Sequence, residues 1–224
     1  MASAETRVPA AAGNPGRERI LERVRAALKT AARPPAPSAP RPAFAPVGDA
    51  LERFEAECLA NKTELILATD EVATAAAIES VLDSLPAGEV FVQDSPALRS
   101  VAKSFLMPRQ LRWSSQGRPA ENSEATISGC DLLVALTGSI VVSSSCGGRG
   151  ASIVAPCHIV VGRLEQLVPD LETALAQVRE KGLDAKNSFV GLITGSSRTA
   201  DIEKILVLGA HGPRRLVLVL QTGG

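Results

Sequence analysis

Aromatic residues are scarce in this 224-residue chain, which has no tyrosine, one tryptophan and five phenylalanines. Single-stranded nucleic acids are bound largely by stacking bases on aromatic side chains, so the composition argues against that function. An excess of one charge is also lacking, because 24 basic residues balance 24 acidic residues. Duplex binding needs a clustered basic excess, and we therefore expect no nucleic-acid partner.

Long apolar runs are missing as well. The longest apolar stretches are well short of the roughly 18 residues that a membrane-spanning helix requires. The N-terminal segment MASAETRVPAAAGNPGRER has no continuous apolar region of the kind found in secretory signals. The sequence thus predicts no membrane span and a cytoplasmic location.

Short motifs that mark several known chemistries do not occur. Cys58, Cys130, Cys146 and Cys157 are scattered without a C-x-x-C pair, which argues against an iron–sulfur cluster or a zinc ribbon. Neither the G-x-G-x-x-G dinucleotide fingerprint nor the G-x-S-x-G nucleophile elbow is present. We expect no cofactor or metal in this chain, no hydrolase chemistry, and three buried cysteines with one exposed thiol.

Apolar spacing and proline content divide the chain into three parts. Ile20, Leu21, Val24 and Leu28 recur at helical spacing and predict an amphipathic helix. Six prolines in the next fourteen-residue segment, RPPAPSAPRPAFAP, favour an extended linker. The predicted order is a helical arm (1–32), a Pro-rich linker (33–46) and an α/β domain (47–224).

Within the predicted domain, short apolar runs alternate with helical patterns. The runs interpreted as strands are TELILAT, EVFVQ, LRWSS, DLLVALT, GSIVVSS, HIVVG, 189–194 and 215–220. Alternating βα units with apolar strands indicate a mostly parallel, doubly wound sheet in a three-layer α/β/α arrangement. The turns between DLLVALT and GSIVVSS are too short for a crossover helix, so we expect a short antiparallel excursion there.

One candidate site follows the strand at 189–194, in the turn TGSSRTADIE. If this turn opens a helix, its hydroxyl and free N–H groups can bind an anion, and an arginine can add a bidentate contact. Ordinary helix capping by the same residues is the alternative. The candidate anion-binding residues here are Thr194, Gly195, Ser196, Ser197 and Arg198.

A second candidate site combines the turn Thr137, Gly138, Ser139 with the glycine-rich segment GGRG around Arg149. Glycines let the backbone approach a ligand closely, and the arginine supplies charge. The alternative is a hairpin turn with a solvated arginine. In doubly wound sheets ligands lie beyond the carboxyl ends of the strands, so we expect the Gly-rich turns to line a crevice there.

His158 and His211 are the two histidines. Either can act as a general base if an acidic residue such as Asp201 orients it, and a structural role beside a strand is the alternative. We take Asp201 and His211 as the candidate catalytic pair.

Two long blocks carry a family resemblance. The segment TGSSRTADIEKILVLGAHGPRRLVLVL resembles the C-terminal signature of the lactate-utilisation protein C family, the LUD-domain proteins. DLLVALTGSIVV, GGRGASIVAPCHIVV and the helix RERILERVRAAL extend the resemblance over nearly the whole chain. It implies a fold similar to the sugar-phosphate isomerase and CoA-transferase group, a Rossmann-like variant, and a role in oxidising L-lactate to pyruvate with iron–sulfur partner proteins.

The chain departs from its family at Leu136, where relatives commonly carry an acidic residue before the Thr-Gly pair. This weakens any mechanism with a carboxylate nucleophile at that position. Three hypotheses remain. The first is a subunit that binds a small carboxylate or a partner loop through Arg149 and Arg198. The second is a stand-alone isomerase or acyl-transfer enzyme acting on a phosphorylated or CoA-linked substrate, and the third is a non-catalytic assembly protein.

Overall fold

The fold was taken from a computed structural model, which describes residues 15–30, 46–119, 121–200, 206–208 and 212–223. The chain divides into two units, 1–45 and 46–224. In the described part of the first unit, helix α1 (Pro15–Thr30) confirms the predicted helix and exposes Ile20, Val24 and Leu28. Of the predicted linker, all but Pro46 lies outside the described residues.

The second unit alternates helices and strands as its sequence pattern predicts. The described helices are α2 (Ala50–Asn61), α3 (Glu71–Asp83), α4 (Pro96–Lys103), α5 (Leu171–Glu180) and α6 (Leu183–Lys186). The described strands are β1 (Glu64–Ala68), β2 (Glu89–Val92), β3 (Leu111–Trp113), β4 (Ser123–Gly129), β5 (Leu132–Val134), β6 (Ser139–Ser143), β7 (Cys157–Arg163), β8 (Leu167–Val168), β9 (Val190–Ile193), β10 (Arg198–Ala200), β11 (Leu206–Leu208) and β12 (Arg215–Gln221).

Side-chain caps define where the longer helices of this unit begin. Asp49 accepts hydrogen bonds from two N–H groups of the first turn of α2, both at 2.9 Å. Asp70, Ser95 and Asp170 each accept one such hydrogen bond at the starts of α3, α4 and α5. Each cap satisfies N–H groups that would otherwise lack a partner, so the sequence fixes these helix starts locally.

A six-stranded parallel sheet in the order β1-β12-β7-β4-β2-β3 forms the centre of the second unit. Helices α3 and α4 pack on one face through a cluster that includes Ile78, Leu98 and Ile159. On the other face, α2 and a four-stranded sheet in the order β8-β5-β6-β9 pack through residues such as Phe54 and Ile140. This arrangement confirms the α/β fold.

The predicted antiparallel excursion is confirmed and is larger than expected. Strands β5 and β6 pair antiparallel, and β8 and β9 extend them into a mixed sheet that α5 covers. Strand β9 lies at the edge of this sheet, and Leu192 within it is 46% exposed. The prediction of a buried strand at 189–194 is therefore wrong, because neighbours cover an edge strand on only one side.

The segment after the TGSS turn also differs from its prediction. Residues 198–200 form β10, which pairs antiparallel with β11. Thr199 stands opposite Val207 in the register, and β-branched residues favour such pairing over a helix. The expected helix does not form at these positions.

None of the helices in the described ranges has both the length and the hydropathy that a bilayer crossing requires.

Candidate functional site

A chain of hydroxyl groups joins the two predicted threonine-containing turns. The Oγ1 atom of Thr137 lies 2.8 Å from Oγ of Ser139, which in turn lies 2.7 Å from Oγ1 of Thr194. The antiparallel pairing of β6 and β9 explains this contact, since Ile140 is directly opposite Ile193. The structure thus brings together residues from both candidate sites, 55 positions apart in the chain.

The Thr137–Ser139 turn is packed tightly against helix α2. Gly138 has a φ of +61°, and a Cβ atom there would lie 2.9 Å from the backbone carbon of Glu57. Asn61 donates a hydrogen bond from Nδ2 to the carbonyl of Thr137 at 2.9 Å. Gly138 is therefore required by close packing between two elements, which accounts for it without a ligand.

The Thr194–Ser197 turn lies at the amino ends of two strands of the main sheet. Ser197 donates its N–H to the carbonyl of Pro213 at 2.9 Å, just before β12 begins. Ser196 is buried and lines a cavity of about 850 Å³ together with Lys62 and Arg214. The turn was expected at the carboxyl ends of the main-sheet strands. It lies at their amino ends instead, because β9, the strand before it, belongs to the mixed sheet. An anion site here stays a prediction.

Arg198, Asp201 and His211 complete the predicted set of site residues. Arg198 has a described backbone within β10. Asp201 and His211 lie outside the described residues. The predicted proton-handling pair is therefore still a prediction.

Arg149 lies at the other end of the β6–β9 pair, in the Gly-rich turn of residues 147–150. Its guanidinium carbon is 5.3 Å from the centre of the Phe189 ring, which is a cation–π contact. The described residues offer it no ion-pair partner. Arg149 and Arg118 line a cavity of about 770 Å³ between this turn and the segment after β3.

The turn Thr194–Ser197 and the turn of residues 147–150 therefore do not line one crevice, and the expectation that they do is wrong. Ser139 and Thr194 mark one end of the pair β6 and β9, whereas Ser144 and Phe189 meet at the other end. A five-residue strand separates the two ends by about 15 Å. The sequence could not reveal this separation, because it depends on which strand pairs with β6.

His158 lies in the middle of the main sheet and is 1% exposed. Its Nε2 atom is 2.9 Å from Oγ of Ser128, and its Nδ1 atom has no partner in the described structure. Burial lowers the pKa of His158 to about 4, because the charged form would be poorly solvated. Such a residue is a neutral core group, which favours the structural interpretation.

All four cysteines are free and buried, so the expectation of one exposed thiol is wrong. Burial raises the pKa of Cys58 and of Cys146 to about 12 and that of Cys157 to about 11. It raises the pKa of Cys130 as well. In the described part of the chain, no three His, Cys, Asp or Glu residues are grouped so that they could hold a metal ion.

Sequence motifs did not reveal a crevice at the carboxyl ends of the main-sheet strands. It has a volume of about 470 Å³, and its lining includes the polar residues Gln93, Arg163, Gln166 and Gln221 together with the carboxylates of Glu71 and Glu165. Three of these follow or end apolar runs, so the rule that ligands lie beyond strand carboxyl ends was the available signal. No motif marks them individually.

Comparisons with known proteins agree with the fold and cover most of the chain. A family model for the LUD domain matches residues 51–221. Lactate utilization protein C of Bacillus subtilis (strain 168) is 26% identical over 230 aligned positions, which cover 91% of this chain and 95% of that protein. Lactate utilization protein C of Geobacillus sp. (strain WCH70) is 28% identical, over 77% of this chain and 78% of that protein.

A solved structure supports the same fold. The crystal structure of a DUF162 family protein from Deinococcus radiodurans superposes with a TM-score of 0.61 at 20% sequence identity. The match covers 78% of this chain and 99% of that one. At this identity the likeness bears on the fold alone.

Proposed function

Because this chain belongs to the LUD domain family, we propose that it is a subunit of a lactate utilisation system, in which L-lactate is oxidised to pyruvate together with iron–sulfur partner proteins. The near full-length match to a protein named for lactate utilisation supports the choice of pathway. The chain itself has neither a cluster-ligand motif nor a dinucleotide fingerprint. Its role in the proposal is to bind and position, and the partners carry the electrons.

One observation supports a particular binding site for this proposal: Arg149 has no ion-pair partner among the described residues and lines an open cavity. A guanidinium without an ion-pair partner keeps its N–H donors available, and a carboxylate can accept two of them. Arg118 adds a second positive charge to the same cavity and Glu121 adds one negative charge, so the charged lining is net positive. An anionic group is the ligand that this chemistry suits.

The surroundings of Arg149 favour a loop of a partner protein over a free three-carbon acid. The cavity of about 770 Å³ lies in the size range of sites for much larger ligands, which is roughly 300–1,000 Å³. Ile153 and Val154 line it and are 45% and 40% exposed. These neighbouring residues form a small exposed apolar patch beside a charged group, which favours a protein-binding surface. A partner loop with an acidic residue would satisfy both features.

The remaining predicted residues have secondary roles in the proposal. Arg198 and the Thr194–Ser197 turn would bind a second anion at the amino-end cavity, and Asp201 and His211 would handle protons. The stand-alone acyl-transfer alternative has less support, because Leu136 stands where a carboxylate nucleophile is needed. The backbone carbonyl of Leu136 accepts a hydrogen bond from the guanidinium of Arg53 at 3.4 Å.

The test replaces Arg149 by glutamine in a strain whose own copy of this gene is deleted. We expect loss of growth on L-lactate and normal growth on glucose, because removing the guanidinium removes the carboxylate contact. The thermal midpoint of the purified variant should stay within a few degrees of the original, since Arg149 makes no ion pair in the described structure.

Arg179→Gln is the matched control, because it removes one positive charge from an exposed position in the last turn of α5. It should grow on lactate like the original protein. Normal lactate growth of the Arg149→Gln strain would exclude the proposed role of Arg149. Normal lactate growth of the deletion strain would exclude the function itself.

A further inference from the structure

Strand β1 forms one edge of the six-stranded sheet. It pairs with β12 on one side, and no described residue pairs with its other side. An edge strand presents a row of N–H and C=O groups that can pair with a strand of another chain. The sheet can therefore be extended at β1.

The two edges of this sheet differ in how well they are protected from such pairing. The opposite edge strand, β3, is three residues long and has Arg112 at its centre. Short length and a charged side chain are two of the features by which proteins keep an edge from pairing. Strand β1 has five residues, ELILA, in an unbroken register. Its one charged residue, Glu64, is already bound by Arg215 through two hydrogen bonds of 2.7 and 2.8 Å.

A cavity of about 850 Å³ follows the free edge of β1. The consecutive residues 62–67 line it, so it runs along most of the strand. Leu67 is 49% exposed there, and Leu59 of α2, which lines the same cavity, is 81% exposed. Unpaired strand backbone beside exposed apolar side chains is the combination that an added strand covers. The shape of the cavity fits an extended chain.

The charges at the two ends of β1 are of opposite sign. The charged residues that line the cavity at its amino end are Lys62, Arg214, Arg215, Glu55 and Glu64, which gives a net positive charge. Asp70 and Glu71 follow its carboxyl end. A strand that runs antiparallel to β1 and has the same charges at its ends would bring opposite charges together at both ends.

The sequence of β1 is also complementary to itself when two copies run antiparallel about Ile66. In this register Ile66 lies opposite its own counterpart, and Leu65 lies opposite Leu67 of the second copy. Leu65 and Leu67 are two residues apart, so they lie on one face of the strand and form apolar cross-strand pairs. All five residues of the strand are then paired.

The same register matches the charged residues. Lys62 and Asp70 are each two residues beyond an end of β1, so Lys62 of one copy comes opposite Asp70 of the other. A shift by two residues in either direction loses this match, because it places Glu64 opposite Asp70 or Lys62 opposite Ala68. Two-fold symmetry forms the Lys62–Asp70 contact twice. The charges therefore favour a second copy of this chain in one register.

We propose that β1 is a dimer interface, at which a second copy of this chain adds its own β1 antiparallel and continues the sheet. The two-fold axis then runs through the Ile66 pair, perpendicular to the sheet, so the α2 helices of both copies lie on the same face. Leu59 and Leu67 of both copies are covered there. The contact needs no residue of the Thr194–Ser197 turn, and it does not depend on the lactate function.

The test is the molar mass of the full chain, measured by light scattering during gel filtration over a range of micromolar concentrations. We expect a mass of about twice the 23.3 kDa of one chain. Leu67→Lys should weaken the dimer by tenfold or more, because it places a charge opposite Leu65 of the second copy. Leu192→Lys is the matched control, since Leu192 is 46% exposed on β9, the edge strand of the other sheet. It should remain a dimer.

A charge reversal tests the register. Lys62→Glu should weaken the dimer by roughly tenfold, because it creates two like-charged contacts with Asp70. Adding Asp70→Asn should recover part of this loss, since asparagine removes the repulsion and still caps α3. Asp70→Asn alone should weaken the dimer slightly. Thermal midpoints of all variants show whether each is folded.

Three outcomes would overturn the proposal. One is the mass of a single chain at every concentration, which would leave the edge to a different protein. Another is a dimer that Leu67→Lys does not weaken, and the third is a dimer that Leu192→Lys separates instead. The growth test of Arg149 measures lactate use, so the dimer and the proposed function can fail separately.

Discussion

At the scale of single residues, the buried His158 links stability to pH. Its pKa is lowered to about 4 in the folded protein, whereas an exposed histidine has a pKa of about 6.5. Between these values the unfolded chain binds a proton that the folded protein does not. Stability from this group is therefore complete above pH 6.5, and it is lost as the pH falls from 6.5 to 4.

We expect His158→Gln to remove most of this pH dependence, which is on the order of 3 kcal/mol for a shift of this size. The measurement is urea unfolding at intervals between pH 7 and pH 4.5. His211→Gln is the control, because it removes the other histidine of the chain. Equal slopes for the original protein and His158→Gln would show that the buried imidazole is not the titrating group.

At the scale of elements, Gly138 fixes the approach of the β5–β6 hairpin to helix α2. We expect Gly138→Ala to destabilise the protein by roughly 2 kcal/mol or more, because the new Cβ meets the α2 backbone and also strains a left-handed residue. Gly182→Ala is the matched comparison. Gly182 has almost the same left-handed backbone, with a φ of +63°, and a Cβ atom added there would meet only the end of the Lys186 side chain, at 3.5 Å, so this change should cost about 1 kcal/mol.

Chemical denaturation of the two variants measures the difference. Equal losses of stability would mean that backbone strain alone acts at both glycines and that the contact with α2 contributes nothing.

Strands were predictable from the sequence where consecutive residues have apolar, buried side chains. The runs that became β1, β2, β7 and β12 were visible because their side chains are apolar on both faces. Strand β4 was missed, since it buries Thr126 and Ser128, and polar residues interrupt the expected run. Helix starts are encoded more locally, because a cap and the N–H groups that it binds lie within three residues.

At the scale of the whole molecule, the order of the strands was not predictable from the sequence. Glu64 in β1 pairs with Val217 in β12, although the two residues are far apart in the sequence. No spacing rule encodes such a pairing, because it depends on the packing of the complete sheet. For this reason Arg149 could be singled out by its glycines, whereas the neighbouring positions of Arg163 and Gln221 became visible in the folded protein.

The arm should be dispensable for folding of the second unit. The three apolar clusters that hold this unit together consist of residues from Val47 onward. We therefore expect a chain of residues 46–224 to unfold cooperatively, with a thermal midpoint within a few degrees of the full chain by calorimetry. A broad transition or a much lower midpoint would show that residues 1–45 contribute to the folded core. If the arm docks the chain on its proposed iron–sulfur partners, this shorter chain should lose that association, and unchanged association would exclude such a role.

The burial of all four thiols has a practical consequence for work with this protein. Thiolate is the form that reacts with maleimide dyes and with oxidants, and the raised pKa values keep these groups as neutral thiols at physiological pH. A cysteine introduced on the surface would therefore be the site that a fluorescent label reaches first. The natural chain can serve as the background for distance measurements by energy transfer without prior removal of its own cysteines.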